Sequence, residues 1–470
     1  WYAALAIAIT CLYRRFLSIT WVAGLAALLY VIDDAHGMPV GFLANRNAVM
    51  ATLFGVLTLI IHDKWRRENL RIGLLVGPLL LTLSLLSAEA GLATCAYLFA
   101  YTIFIDRGTL RQRFGALIPY AAVVVIWRIL WTYLGYGVEN IGAYIDPLSE
   151  PLKYLDALKN RAPFLLLSQW ALPPSDITIM MRPKYSMVIW QIAFVFLFLL
   201  VVILIPLIRC RRTTRFWITG MVLSVLPICA TFPSDRLLTF VGIGAMGLIA
   251  QFINFVFNNT EERPKLLVWR IPAIGLAGLF ILIHLIIAPL ALPVRAANAM
   301  IPKKYLDKLM LTEGLDESVK NQDLIIVNPP ITFLMLQSPM MWECNNQPIP
   351  RHLRILTSSL FQPVEVYRPD AKTLILRSAF GFYTYVLDSL FRNEDHPFSI
   401  GDRVELTGMT VEIREITSYG NVAEAAFIFS VPLEDSSLRW LKHKDGAFVP
   451  FTPPEIGQKV VLPGRNLFRQ

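Results

Sequence analysis

The densest group of reactive side chains lies in Asp33-Asp34-Ala35-His36-Gly37-Met38-Pro39-Val40-Gly41-Phe42-Leu43-Ala44-Asn45-Arg46-Asn47. Two carboxylates, an imidazole and a guanidinium are crowded there between two apolar runs. Asp33 or Asp34 could serve as a base or a metal ligand, and His36 could move a proton or bind phosphate. Arg46 offers a planar fork for phosphate oxygens. Ionisable groups near membrane depth are costly and tend to line a site or a cavity. The plainer alternative is a solvated loop with Gly37 and Pro39 as turn residues and Arg46 reaching to the interface. A second acidic turn, Ser87-Ala88-Glu89-Ala90-Gly91, either projects Glu89 toward that loop or caps the next helix, whose N-terminal dipole favours negative charge. Asp235 and Arg236, in Phe232-Pro233-Ser234-Asp235-Arg236, form another charged pair, which a local salt bridge would equally explain. Arg128 sits inside an apolar run and calls for a partner or a cavity within a bundle, whereas Arg270 lies close enough to a boundary to snorkel.

The elements that must position these residues follow from composition. The 470 residues are 55% hydrophobic and 16% charged, with a mean hydropathy of +0.54. Soluble domains run about 45–50% apolar and ~25% charged. A soluble enzyme, a disordered chain and a nucleic-acid binder are therefore poor fits, and the chain reads as an integral membrane protein surrounded by membrane lipids. Ten apolar segments can be drawn, at 1–13, 17–32, 47–62, 70–87, 90–105, 114–135, 187–208, 216–231, 237–257 and 267–292. Basic residues fall on every second connection: Arg14 and Arg15; Lys64, Arg66 and Arg67; Arg107, Arg111 and Arg113; Arg209, Arg211, Arg212 and Arg215; Arg263 and Lys265. That alternation is the positive-inside pattern. It accounts for the net charge of +9 without nucleic acid as a partner, and it puts everything after 292 on the non-cytoplasmic side.

The expected fold is thus a polytopic α-helical membrane protein of about ten spans (1–292) followed by an exported, β-rich α+β domain (293–470). The outer stretch 137–186 predicts an interfacial amphipathic helix from Pro151, with Leu152, Leu155, Leu158 and Ala162 on one face. Pro163 to Leu172 is apolar but too short to span, and reads as a separate re-entrant or surface segment. Asp146, Glu150 and Asp176 could reach a site from this stretch, although surface charge is the simpler assignment. In the exported region a charged helix is expected around Lys303, Lys304, Asp307 and Lys308. A buried strand ended by a turn is expected within 323–330, and further strands at 364–367, 373–377, 403–406, 410–416, 425–431 and 459–462, with 399–462 forming a small barrel or sandwich. Asn328, Asp370, His396 and Asp402 suit turns there. Five scattered cysteines and six scattered histidines form no disulfide framework or metal motif, and no GxGxxG, Walker A or GxSxG is present.

Taken in order, Arg14-Arg15, the outer loop with Asp33 and His36, Asn45-Arg46, a basic inner loop and Ser87-Ala88-Glu89 resemble the GT-C membrane glycosyltransferases that use polyprenyl-phosphate sugars. The likeness is to the protein O-mannosyltransferase-like branch linked to tetratricopeptide repeats, and it covers about residues 1–110. His36 matches the second histidine of that family's loop, Asn45-Arg46 its Arg pair, and Glu89 the glutamate of its Ser-Lys-Glu turn. Asp33 stands where the family has its first histidine, and Ala88 replaces the lysine. The resemblance implies transfer of a sugar from a polyprenyl-phosphate donor to an envelope acceptor at the outer face of a bacterial inner membrane. Asp33, Asp34, His36 and Glu89 would be catalytic, Arg46 and Arg236 would hold the donor phosphate, and a carboxylate could bind a divalent metal.

The family's principal catalytic carboxylate lies in a loop that, by this register, would precede Trp1. Trp1 also opens directly into apolar sequence with no charged leader, and its first run reaches only ~20 Å of a ~30 Å hydrocarbon core. A preceding segment is therefore expected. The competing expectation is a non-catalytic subunit of GT-C descent that scaffolds a larger envelope complex through a protein partner on residues 293–470. The charge alternation makes a direct prediction about sidedness. In a cysteine-free background, Asp402→Cys should react with an impermeant maleimide in intact cells, and Arg211→Cys should react only after the membrane is opened. The reverse labelling would invert the topology.

Overall fold

A computed structural model describes the chain except residues 19, 138–143, 181–182, 259–261, 299–314, 330–331, 358–361, 383–395, 419, 446 and 465–470. It divides into a helical unit, Trp1–Val138 with Tyr144–Met300, and a second unit built mainly from Ile301–Gln470. Each of the ten apolar segments contains a helix, from Tyr2–Leu17 at the start to Leu267–Ile281 and its continuation at the end. Five helices are long and apolar enough to cross a membrane: Leu43–Glu68, Leu110–Tyr133, Tyr185–Cys210, Thr239–Phe257 and Leu267–Ala297. Others fall short of the ten expected spans for a geometric reason. The apolar helices Trp21–Val31, Gly73–Ser87 and Glu89–Phe104, at ~1.5 Å per residue, cover only part of a ~30 Å core.

The Thr239–Phe257 helix is the centre of the unit, with nearly every side chain buried. Three tyrosines from three other helices donate to its carbonyls: Tyr30 to Thr239 (2.9 Å), Tyr97 to Phe240 (2.7 Å) and Tyr13 to Ile243 (2.6 Å). Bonds to backbone oxygens fix the depth and rotation of each partner in a way that apolar contact alone does not. Small residues let the neighbours close in. A Cβ added at Gly244 would lie 2.5 Å from the Trp217 carbonyl oxygen.

At one end of the unit, the invariably apolar pattern gives way to ion pairs. Asp63, fully buried, binds Arg15 (2.5 Å), Arg67 (2.8 Å) and the Tyr101 hydroxyl (3.0 Å), while Arg66 binds Asp106 at 2.7 Å. Part of the basic charge that marks topology in the sequence is therefore spent on buried aspartates.

Three sequence expectations need correction. Pro163–Leu172 is not a separate segment, because one helix runs from Pro151 to Trp170 with Pro163 inside it. Its second half is carried on by burial of Phe164, Leu165, Leu167 and Trp170, while Leu152 and Leu155 stay exposed. The helical unit also continues past 292: Ala288–Asn298 is helical, and Pro293 does not end it. Finally, 399–462 does not fold as its own barrel or sandwich. The second unit has a six-stranded antiparallel sheet in the order β10-β3-β4-β7-β6-β5, which recruits β3 (Val364–Tyr367) and β4 (Thr373–Arg377) from before that stretch. Its other strands are β5 (Arg403–Leu406), β6 (Met409–Ile416), β7 (Val422–Phe429) and β10 (Lys459–Leu462).

A second sheet, β2-β1-β8-β9, sets β1 (Asp323–Ile326) parallel to both β2 (His352–Ile355) and β8 (Leu438–Lys444), with β9 (Ala447–Pro450) on the edge. β8 carries too much charge to read as a strand, yet Trp440 and Leu441 bury against the core. Asp370 and Asp402 accept from the backbone N–H groups of Lys372 and Ser399, as expected of turn residues. Asn328 instead exchanges two bonds with the backbone of His443. The expected Lys303–Lys308 helix lies outside the described residues.

The short Gly37–Gly41 helix lies directly on the last helix of the first unit: a Cβ on Gly41 would sit 2.2 Å from the Ala296 carbonyl oxygen. Gly41→Ala should therefore destabilise the protein by about 1–3 kcal/mol, the usual range for overpacking. Gly278→Ala, which meets nothing within 4 Å, should stay within about 0.5 kcal/mol. Thermal unfolding in detergent compares them, and equal melting temperatures would contradict the close approach.

Candidate functional site

The loop from Asp33 to Asn45 is three short helical turns, Asp34–His36, Gly37–Gly41 and Leu43–Asn45. Asp33 starts the first turn by accepting from the Ala35 N–H through Oδ1 (3.1 Å). That places Asp33 inward and Asp34 toward the edge. Asp34 meets Arg295, from the final helix of the unit, at 2.8 Å. The same guanidinium binds Asp235 at 2.6 Å and Asp176 at 2.6 Å. Three carboxylates from three separate loops thus converge on one cation.

The other oxygens of Asp235 and Asp176 are also engaged. Asp235 Oδ1 accepts from the Ser168 hydroxyl (2.5 Å), the Ser175 N–H (2.8 Å) and the Ser175 hydroxyl (2.6 Å). Asp176 accepts from the Ser234 hydroxyl at 2.5 Å. Burial, and then the charge of Asp235, push Asp176 above the ordinary carboxylate range.

Asp33 lies behind this cluster and is 4% exposed. Its Oδ2 accepts from Gln169 Nε2 (3.1 Å), near the end of the Pro151–Trp170 helix. Burial raises its pKa from 3.8 to about 6, against the opposing influence of His284. His284 occupies a π-helical turn, Leu282–Ile287, a local widening that often marks functional sites. His284 is buried, and its Nε2 has no hydrogen-bond partner.

His36 is buried between Tyr2 and Tyr30. The Tyr2 hydroxyl gives its proton to the Val31 carbonyl (2.7 Å), so at 3.1 Å it accepts from His36 Nδ1. That tautomer leaves a lone pair on Nε2, which has no partner. Burial lowers the His36 pKa to about 4, so near neutrality the ring carries no charge with which to hold a phosphate.

The other expected site residues go different ways. Arg46 is the first residue of the Arg46–Glu68 helix, is exposed, and has no ion pair among the described residues. Arg236 does not pair with its neighbour Asp235; it lies over the Phe232 ring at 5.7 Å. Glu89 accepts from the Trp131 indole (2.8 Å), and Arg128 stacks on that same ring (4.5 Å) while binding Asp146 (2.5 Å). Glu89 therefore belongs to a second polar group with Arg128, and the partner that Arg128 called for is Asp146. Glu150 pairs with Lys153 at 2.8 Å. Among the described residues no three His, Cys, Asp or Glu side chains are grouped to hold a metal ion, and the converging aspartates are committed to Arg295. The residue set does not fit a divalent metal centre.

Sequence reasoning missed Arg295, Gln169 and His284. The signal for two of them was present: an amide and an imidazole embedded in the apolar runs PFLLLSQWAL and ILIHLII, where a polar side chain needs a partner.

Two predictions follow from this geometry. Arg295→Met leaves the carboxylates facing one another and should cost about 3 kcal/mol, the lower end for breaking a buried pair, because Arg295 and Asp34 keep some exposure. An unchanged melting temperature would show the pairs to be incidental. For Asp33 the folded protein holds the proton more tightly than the unfolded chain does. Stability is therefore lost as pH rises from 3.8 to about 6 and stays lower above that, by on the order of 3 kcal/mol. Asp33→Asn should melt higher than wild type at pH 7, with the gap closing at pH 4. A variant less stable than wild type at pH 7 would overturn the assignment. The chain matches no family model, no curated protein and no solved structure, so the chemistry assigned to this site rests on its own residues.

Proposed function

We propose that the chain is a GT-C-like membrane glycosyltransferase that moves a sugar from a polyprenyl-phosphate donor to a hydroxyl acceptor of the cell envelope. The observation that carries this reading is Asp33: a buried carboxylate, held by Gln169, with a pKa of about 6. A general base works best when its pKa lies near the operating pH. The acceptor O–H bond breaks and its proton passes to Asp33. The acceptor oxygen forms a bond to the sugar's anomeric carbon, and the bond from that carbon to the phosphate oxygen breaks, leaving its electron pair on the lipid phosphate.

Arg46 supports the donor side. A cation at the first position of a helix opposes the helix dipole. Exposed and without an ion pair among the described residues, the Arg46 guanidinium favours an anion. The neighbouring Asn45 Nδ2, buried and unpartnered, adds a donor. Arg236 is a second candidate for the lipid phosphate. In this reading all ten apolar helices belong to the membrane domain, the 33–46 loop faces the periplasm, and the second unit is exported.

A second reading, a non-catalytic subunit that scaffolds a larger complex, is favoured by one observation. Arg295 engages Asp34, Asp176 and Asp235 together, as a structural tie would. The two readings separate in liposomes containing the full chain and a panel of polyprenyl-phosphate sugars. The transferase reading expects release of polyprenyl phosphate, lowered about 100- to 10,000-fold in Asp33→Asn and with a raised donor KM in Arg46→Ala. No release from any donor would leave the scaffold, whereas an Asp33→Asn variant as active as wild type would remove Asp33 as the base.

A further inference from the structure

In the six-stranded sheet of the second unit, β5 is an outer strand whose four residues are all exposed. Among the described residues it pairs only with β6: Arg403 faces Glu412, Val404 faces Val411, Glu405 faces Thr410 and Leu406 faces Met409. The Ile413 N–H donates to the Asp402 carbonyl (3.0 Å), which sets the direction of the main-chain groups that follow. In an antiparallel ladder these groups point alternately to one neighbour and to the other. Val404 and Leu406 therefore turn their N–H and C=O toward β6, while Arg403 and Glu405 turn theirs outward, where no described residue bonds to them. The side chains alternate as well. Val404 and Leu406 share a face with Val411 and the buried Met409, so the apolar side of the sheet runs out to this edge and is left 38% and 41% exposed there. Arg403 and Glu405 lie on the opposite face. Arg403 binds Glu412 at 2.7 Å, and Glu405 has no ion pair among the described residues.

An exposed edge of this kind is a template for a further strand, and its charges decide which strand fits. When two β5 strands pair symmetrically and antiparallel, outward-turned residues must face outward-turned residues. A two-fold axis at Arg403 would oppose two arginines, and one at Glu405 would oppose two glutamates; like charges directly opposite are destabilising. An axis at Val404 instead sets each Arg403 opposite Glu405 of the second copy, and each such pair exchanges both of its main-chain hydrogen bonds. The two Val404 side chains then meet at the closer, non-hydrogen-bonded position. Arg403-Val404-Glu405 is thus complementary to itself in that register. The far edge, β10, offers no such match, because Lys459 is held by Glu365 (3.2 Å) and Val460, Val461 and Leu462 carry no charge.

We infer that the second unit binds a second copy of this chain through β5, the two strands pairing antiparallel about Val404 so that the six-stranded sheets join edge to edge. Arg403 then lies between Glu412 of its own chain and Glu405 of the second copy. Val411 and Val404 continue into their counterparts as one apolar stripe across the join. A contact this short is weak between free molecules, and chains held in one membrane supply the effective concentration that makes it count. The pairing depends on the exposed edge and its charges, and not on the transferase reading.

The experiment uses the full chain in opened native membranes, in a cysteine-free background, with copper–phenanthroline as oxidant. Residues opposed at a non-hydrogen-bonded position have Cα atoms about 4.5 Å apart, within reach of a disulfide. Val404→Cys should therefore cross-link to a dimer. Arg403→Cys and Glu405→Cys are each diagonal to their own copies, about 7–8 Å away, and should not cross-link alone. Co-expressing those two variants should give the dimer, and Val461→Cys on the far edge should stay monomeric. Adding Glu405→Arg to Val404→Cys sets a guanidinium opposite each Arg403 and should lower the dimer yield about tenfold. No dimer from Val404→Cys, equal yields from Arg403→Cys and Val404→Cys, a yield unchanged by Glu405→Arg, or a product joined to a different protein would each overturn the inference. If Val404→Cys fails to fold, counting chains per particle in native-lipid nanodiscs decides the question. Paired chains for wild type and single chains for Glu405→Arg are expected, and single chains for both would overturn the pairing.

Discussion

The arrangement of the candidate site depends on one guanidinium. Arg295 reaches Asp34, Asp176 and Asp235, which belong to three loops, two of them also joined by the bonds of Ser175 to Asp235 and of Ser234 to Asp176. Two close-packed glycines make this possible. Gly37 and Gly41 let the first loop lie on the backbone of Arg295 and Ala296. The cluster carries more acid than base, and the serines at 168, 175 and 234 supply the donors that a second cation would otherwise provide. Asp33 is held behind this tie and is shielded by it.

The central helix sets the other side of the site. Tyr30, whose ring lies beside Gly242, is fixed through its hydroxyl to the Thr239 carbonyl, one turn from that glycine. The contacts that assemble the bundle therefore also shape the site. Burying Asp33 runs against stability, since a carboxylate in a dry setting prefers its proton. Such a cost is expected where a group is kept for chemistry rather than for packing. His284 is a similar case, a buried imidazole in a widened helical turn whose Nε2 has no hydrogen-bond partner.

Periodicity and loop charge made the helices legible. Long apolar runs place a helix at each of the ten segments, and the 33–46 loop stands out because charge is rare nearby. The partners of that loop were not legible. Arg295 follows the apolar run ending near 292, so it reads as the start of the exported region, whereas helical packing carries the unit on through Asn298. Asp235 stands next to Arg236 in sequence, but the turn Asp235–Leu237 sends the two side chains to different partners. Glu89 is acidic and close to a helix start, yet the indole of Trp131 claims it. In the second unit, strands with alternating apolar residues were visible, but sheet membership was not. Parallel pairing of β1 with β8 joins residues more than a hundred apart, and no local pattern encodes it.

Asp33 is expected to release its proton at about pH 6, well above an ordinary carboxylate, while Asp34 is paired with Arg295. The most direct measurement is difference infrared titration of the full chain in lipid, with Asp33→Asn identifying the band. A protonated carboxyl band that disappears with a midpoint of about 6 is the predicted result. A midpoint near the ordinary carboxylate value of about 4 would mean that Asp33 is solvated, and would contradict both its burial and the role proposed for it as a base.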